Sequence, residues 1–105
     1  MMDISQLKAL SDGTRLKIVL TLYPRTYCGK ALAWKLGISE SSVSQHLKVL
    51  RDCGLVEGVK YGYYTHYLLN REALASLGEA LVALSRLPEE KAECDAKATV
   101  GCKNW

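Results

Sequence analysis

Apolar residues recur along this chain at two different periods, and the places where the period changes mark its elements. In "ISQLKALSDGTRLKIVLTLYP", Ile4, Leu7 and Leu10 share one helical stripe and Leu16, Val19, Leu20 and Tyr23 another. This predicts two helices parted by Asp12-Gly13 and stopped by Pro24. "GKALAWKLGIS" predicts a short third helix through Leu32 and Leu36, closed by Gly37 where a left-handed cap residue belongs. Only Ile38 and Ser39 separate it from the next helix, "ESSVSQHLKVLRDCG". That helix has Ser39 as N-cap, Glu40 in the first turn where the dipole favours an anion, and Gly54 just past its end. The period then drops to two: "LVEGVKYGYYTHYLL", rich in Val and Tyr, predicts a two-stranded hairpin around Tyr61-Gly62. In "REALASLGEALVALSRLP", Leu74, Leu77, Leu81 and Leu84 predict a long last helix that Pro88 stops.

A short helix, a tight glycine turn, a second helix and then a hairpin is the order of a winged helix-turn-helix, in which the second helix enters the DNA major groove. The expected fold is therefore mainly α with a small β-hairpin. Val43, Leu47 and Leu50 fall at i, i+4 and i+7 and pack inward, while Ser41, Ser44, Gln45 and Lys48 share the opposite face. Small and amide side chains there allow close approach to base edges. Ser42 and His46 flank that face. An isolated helix with this pattern would be read as merely solvated; the adjoining turn and hairpin shift the reading to double-stranded DNA. Thr14, Arg15, Lys17, Lys30, Lys35 and Arg51 suit phosphates, and the wing adds Lys60, Tyr61 and Tyr63.

Composition sharpens this picture in three ways. A chain of 105 residues is about one domain and buries only about two-thirds of its unfolded surface, so a leftover apolar helix face invites a partner subunit. The net charge of +3 is uneven: residues 1–87 hold eleven Lys/Arg against seven Asp/Glu, and residues 88–105 three against four. The expected organisation is a basic DNA-binding and dimerisation domain over 1–87 and a polar tail over 88–105. No apolar run approaches the roughly 18 residues of a membrane span, and "MMDISQLKALSDGTR" lacks a basic segment followed by an apolar one, so a cytoplasmic protein without a membrane partner is expected. Cysteines there are normally thiols, which makes Cys28, Cys53, Cys94 and Cys102 metal, redox or core residues rather than a disulfide framework. No Ser/His/acid order, Gly-rich phosphate loop or HExxH occurs, and no enzyme is expected.

"LKALSDGTRLKIVLTL" and "ALAWKLGISESSVSQHLKVLRDCGLVEGVKYGYYTHYLL" resemble the ArsR/SmtB family of winged-helix repressors across about residues 4–87. The resemblance implies a homodimer joined through its first and last helices, with Ile4, Leu7, Leu10, Leu74, Leu77, Leu81 and Leu84 facing the twofold axis, on an operator that is an inverted repeat; a leucine stripe can equally be monomer core, and partial duty in both is expected here. It also implies release from DNA when a metal, metalloid or oxidant occupies a sensing site. One type of member uses carboxylate and His ligands on the last helix, but this last helix has no His. His46 and His66 fall on the recognition helix and wing and are read as DNA-facing or sheet residues.

A second type carries Cys-x-Cys in a motif similar to C-V-C-D-L-A. "CGKALA" aligns with it, so Cys28 matches the first cysteine while Lys30 replaces the second. Cys94 and Cys102 are then the expected source of the missing ligands. With Cys28 they make a three-thiolate site suited to As(III) first, or to Sb(III), Cd(II) or Pb(II). On an uninterrupted helix residues 94 and 102 would be separated by about 12 Å of rise and about 80° of rotation, so the site requires a bend, for which Thr99-Val100 and Gly101 are suitable. Cys53 is read as a small core residue. Two alternatives stand beside this: a disulfide switch among Cys28, Cys94 and Cys102 under oxidant or reactive sulfur, and a winged-helix module that binds protein.

Overall fold

The computed structural model describes residues 3–90, so Cys94 and Cys102 lie outside the described residues. The elements run α1 (Ile4–Leu10), α2 (Gly13–Leu22), β1 (Tyr27–Cys28), α3 (Gly29–Leu36), α4 (Glu40–Asp52), β2 (Val56–Tyr61), β3 (Tyr64–Leu69) and α5 (Arg71–Ser85). Their ends have local causes. The Asp12 carboxylate accepts from the Arg15 N–H at 3.0 Å, and Ser39 Oγ from the Ser42 N–H at 3.1 Å, each satisfying an orphan donor of a first helical turn. Gly37 (φ 69°) closes α3 and Gly54 (φ 82°) follows α4, both in the left-handed region.

Asn70 joins two of these ends. Its Oδ1 accepts from the Ala73 N–H at 3.1 Å to cap α5, while its Nδ2 donates to the Gly54 carbonyl at 3.0 Å. Its backbone N–H donates to the Leu55 carbonyl at 2.8 Å, so the start of the last helix is tied to the exit of α4. Replacing Asn70 by Ala is expected to cost about 1–3 kcal/mol, the sum of a lost cap and a lost hydrogen bond. Urea unfolding should show a lower midpoint with an unchanged m-value.

One core forms from all the helices except most of α5. Ile18, Leu32, Val43, Leu47, Leu50 and Leu55 are its largest fully buried side chains, joined by Ala9, Val19, Leu22, Ala33, Val56 and Leu69. In α2 this departs from the expected stripe: Ile18, Val19 and Leu22 are buried, whereas Leu16, Leu20 and Tyr23 are exposed. That helix is apolar on two faces, both with helical spacing, and only its packing against α4 and β3 decides which turns inward. The expected dimer stripe is likewise divided. Leu77 is already buried within the single chain, Leu10 and Leu74 pack partly against the core, and Leu7 is half-buried. Ile4, Leu81 and Leu84 stay exposed, with Val82 and Leu87 beside them.

The sheet has three antiparallel strands in the order β1-β3-β2, one more than the expected hairpin. Two residues are too short to show a period, which is why β1 escapes detection in the sequence. Val56 pairs with Leu69 and Tyr61 with Tyr64, leaving Gly62-Tyr63 as a two-residue loop. Gly62 has φ 63° and, among the described residues, no non-glycine residue has positive φ, the combination a type II′ turn requires. No helix among the described residues is long and apolar enough to cross a membrane.

Candidate nucleic-acid interface

Helix α4 presents two faces of opposite character. Val43, Leu47 and Leu50 are buried, Ser41, Ser44, Gln45 and Lys48 are exposed, and Ser42 and His46 lie at the boundary, half-buried. Ser39 Oγ lies 3.2 Å from Ser41 Oγ, so the cap also orients the first exposed hydroxyl. Lys48 Nζ lies 3.2 Å from Asp52 Oδ2, an exposed i,i+4 pair. Such a pair is worth about 0–1 kcal/mol, so a phosphate can capture the lysine at little cost.

A groove of about 480 Å³ separates α4 from the sheet, lined by Ser44, Leu47, Lys48, Arg51, Asp52 and Tyr67. The Arg51 guanidinium lies over the Tyr67 ring, 5.8 Å from its centroid, on the sheet face that also carries Gly58. A Cβ at Gly58 would stand 3.1 Å from Thr65 Cγ2 and 3.3 Å from Arg51 Cζ, so glycine there lets the guanidinium lie close to the strand. Gly58 and Tyr67 are not among the residues expected from the sequence; a glycine inside a strand pattern is the available signal for such a close approach. Alternation along β2 and β3 places Lys60 on this α4-facing side and Tyr61 on the other, where its ring meets His66. Tyr63 stands at the wing tip, fully exposed. Lys30 and Lys35 are exposed on α3, Lys35 Nζ lying 5.5 Å from the Tyr27 ring centroid.

Arg15 and His46 turn out to be engaged with each other. Arg15 Nε donates to the Ala9 carbonyl at 2.7 Å, at the end of α1 where helical carbonyls lack partners, and Nη1 lies 3.3 Å from His46 Nδ1. Gln6 Nε2 donates to the Cys53 carbonyl at 2.9 Å, so α1 itself reaches the end of α4 beside the bridge that Arg15 makes from α2. Arg15, expected at a phosphate, is half-buried and holds the end of α1 through Nε, and His46, expected at the edge of the DNA face, meets its guanidinium with a ring nitrogen.

The Asp12 carboxyl sits below its ordinary value of 3.8, chiefly through the hydrogen bond from the Arg15 N–H, with the Arg15 and His46 charges adding to it. A depressed carboxyl stabilises the fold above the unfolded value and loses that contribution as pH falls through its folded value. Asp12→Asn keeps an N-cap but removes the charge. It is expected to flatten the acid limb of the stability–pH curve below pH 3.8, measured by urea unfolding across pH 2–5.

Cys28 ends β1 and is the N-cap residue of α3, half-buried, and its sulfur makes no capping hydrogen bond. Cys53 packs against the core, with Sγ 3.4 Å from the Leu50 carbonyl, in keeping with a structural residue. Among the described residues no three His, Cys, Asp or Glu side chains gather to hold an ion, and the other two thiols of the expected site lie outside those residues.

The helix-turn-helix and wing can be compared with known proteins. Residues 12–58 match the model of bacterial regulatory proteins of the arsR family. The arsenical resistance operon repressor of Escherichia coli (strain K12) is 33% identical over 94 residues, covering 89% of this chain and 80% of that protein. The chain belongs to the ArsR family. The HTH-type transcriptional regulator CmtR of Mycobacterium tuberculosis is 41% identical over 73 residues, 69% of this chain, and the match spans 62% of that regulator's length. Among solved structures, the homodimeric winged helix-turn-helix DNA-binding domain of a possible ArsR-family regulator from Mycobacterium bovis superposes with a TM-score of 0.66. It is 28% identical over 78% of this chain and 76% of that one. ArsR-family proteins are DNA-binding transcriptional regulators and not enzymes.

Proposed function

We propose that this ArsR-family chain is a homodimeric repressor that reads an inverted-repeat operator with α4 and leaves it when a soft ion binds cysteine thiolates. The observation that carries the DNA reading is the exposed row Ser41, Ser44, Gln45 and Lys48, held over a buried Val43, Leu47 and Leu50 and flanked by the wing. Exposure of Lys30, Lys35, Lys60 and Arg51 supports their assignment to phosphates. The dimer reading is supported by the apolar side chains left open on α1 and α5, since an exposed apolar patch marks an interaction surface. Residues 1–87 serve as the DNA-binding and dimerisation domain and 88–105 as the sensing tail.

Reduced protein without bound ion is expected to bind an inverted repeat with log affinity falling linearly in log salt. Gln45→Ala should lose about 5- to 150-fold in discrimination at one base pair, the worth of about 1–3 kcal/mol for a bidentate contact. Lys48→Ala should weaken all sequences alike and lower the salt slope by about one. Failure of the reduced protein to bind any such DNA overturns the repressor reading, and a protein partner then becomes the better account of the wing.

For the inducer, Cys28 supplies one thiolate and Cys94 and Cys102 the others. The name of the Escherichia coli relative supports As(III) as the first ion to try, with Cd(II) and Pb(II) next. Under strict reductant these ions are expected to release the operator, and Cys102→Ser should keep DNA affinity while losing that release. Reduced protein that ignores every thiophilic ion but drops its operator on oxidation would replace coordination by a disulfide switch.

A further inference from the structure

We propose that Arg15, His46 and Gln6 are positioning residues that couple the subunit interface to the DNA reader by fixing the direction in which α4 stands relative to α1. This rests on the homodimer of the proposed function, in which the open face of α1 meets the second copy.

One guanidinium joins three helices. Arg15 belongs to the first turn of α2, where its own N–H donates to the Asp12 carboxylate at 3.0 Å. Its side chain reaches two other elements: Nε donates to the Ala9 carbonyl of α1 at 2.7 Å, and Nη1 lies 3.3 Å from His46 Nδ1 of α4. The donors of a guanidinium are fixed in one plane, so a shift at either end is passed to the other or breaks a bond.

A second tie turns a fixed point into a fixed direction. Gln6 Nε2 donates to the carbonyl of Cys53, the C-cap residue of α4, at 2.9 Å. His46 and Cys53 are about two turns apart, about 10 Å along the axis, and lie on one stripe of the helix. A helix held at two such points on one side keeps its tilt as well as its place.

The ties run between the backs of the two helices. At about 100° per residue, Ser44 and Lys48 each stand about 160° around α4 from His46, on its exposed face. On α1, Ile4 stands about 160° from Gln6 and is exposed as well. The half-buried side chains of Gln6, Arg15 and His46 thus bridge the reader and the helix that offers Ile4 to a second copy.

The pair also fixes a protonation state. Arginine is a donor only, so His46 Nδ1 accepts and the ring carries its proton on Nε2. A proton on Nδ1 would set donor against donor. The contact is therefore visible in the tautomer of one imidazole.

In a dimer on an inverted repeat, the placement of the two reading helices sets which half-site spacing fits. With α4 tied to α1 and α1 to the second copy, that spacing is strict. With the ties cut, each reader adapts to its own half-site.

The test uses the reduced full chain and the inverted repeat that wild type selects from random duplex DNA. That duplex is also made with one base pair added to or removed from its centre, and as a single half-site. Wild type is expected to prefer the whole repeat to the half-site and to reject both altered spacings. Gln6→Met and His46→Leu should lower the ratio of whole-repeat to half-site affinity by about 2- to 30-fold and narrow the preference among spacings. His46→Asn, whose carbonyl oxygen stands near the position of Nδ1, should restore both. In the unsubstituted protein, long-range proton–nitrogen spectra should show His46 with a bare Nδ1 and a proton on Nε2, a readout that needs no variant to fold.

A wild-type ratio and spacing preference in Gln6→Met and His46→Leu, or a proton on Nδ1 of His46 in the protein without DNA, overturns the coupling and leaves the repressor reading standing. A wild type that is monomeric, or that binds half-site and whole repeat alike, overturns the homodimer reading and this proposal with it.

Discussion

Replacing Leu81 and Leu84 together by Glu is expected to yield a folded monomer that binds the operator about 10²–10⁴-fold more weakly than the parent. Leu81 is 42% and Leu84 57% exposed in the single subunit, so the substitutions remove little of its own packing. Glutamate is also a good helix former, and α5 should persist. What is lost is the apolar surface for the second copy, and with it the linkage of two half-sites that turns the second binding event into an intramolecular one. Sedimentation equilibrium reports the mass and fluorescence anisotropy the affinity. A variant that stays dimeric moves the interface elsewhere. A monomer with full affinity removes the need for an inverted repeat.

The second large effect is expected from Leu50→Ala. Leu50 is fully buried, on the inward side of α4 and in contact with the common core. Truncating a leucine in such a place costs about 2–5 kcal/mol, because the cavity adds to the lost transfer energy. Domains of this kind have only about 5–15 kcal/mol in total. The denaturant midpoint should fall sharply while m stays constant. Gln45→Ala, on the opposite face of the same helix, should leave stability within about 0.5 kcal/mol of the parent. The two variants therefore separate the seat of the recognition helix from its readout. Equal stability losses in both would show that the exposed row of α4 is packed against something.

The features legible in the sequence are those imposed locally. Ser39 is a cap because the next turn has free N–H groups, and Gly37 and Gly54 follow helices because their φ values of 69° and 82° suit glycine. The inward Val43, Leu47 and Leu50 follow from helical spacing, and so does the outward row that makes α4 a candidate reader of DNA. Features that depend on distant partners were not legible. Helix α2 has two apolar faces, and of the expected stripe only Val19 is buried; Ile18 and Leu22 turn inward with it, a choice made by packing against α4 and β3. The inward turn of Arg15 depends on a carbonyl at the end of α1 and a ring on α4. Cys28 stands opposite His66 only through a two-residue strand, too short to announce itself, and its pairing with the middle of the sheet.

The contacts of Arg15 with Ala9 and His46, and of Gln6 with Cys53, have a consequence for changing what this protein recognises. They seat α4 on α1 from behind, through groups that face away from Ser41, Ser44, Gln45 and Lys48. Those four positions can be rewritten, by a designer or by drift, without disturbing the mount. His46 should be kept when they are changed: a grafted helix that lacks it removes the Arg15 Nη1 contact and leaves that side chain only its bond to the Ala9 carbonyl. On the proposed reading, new specificity on this scaffold is thus a change at those four positions with His46 kept.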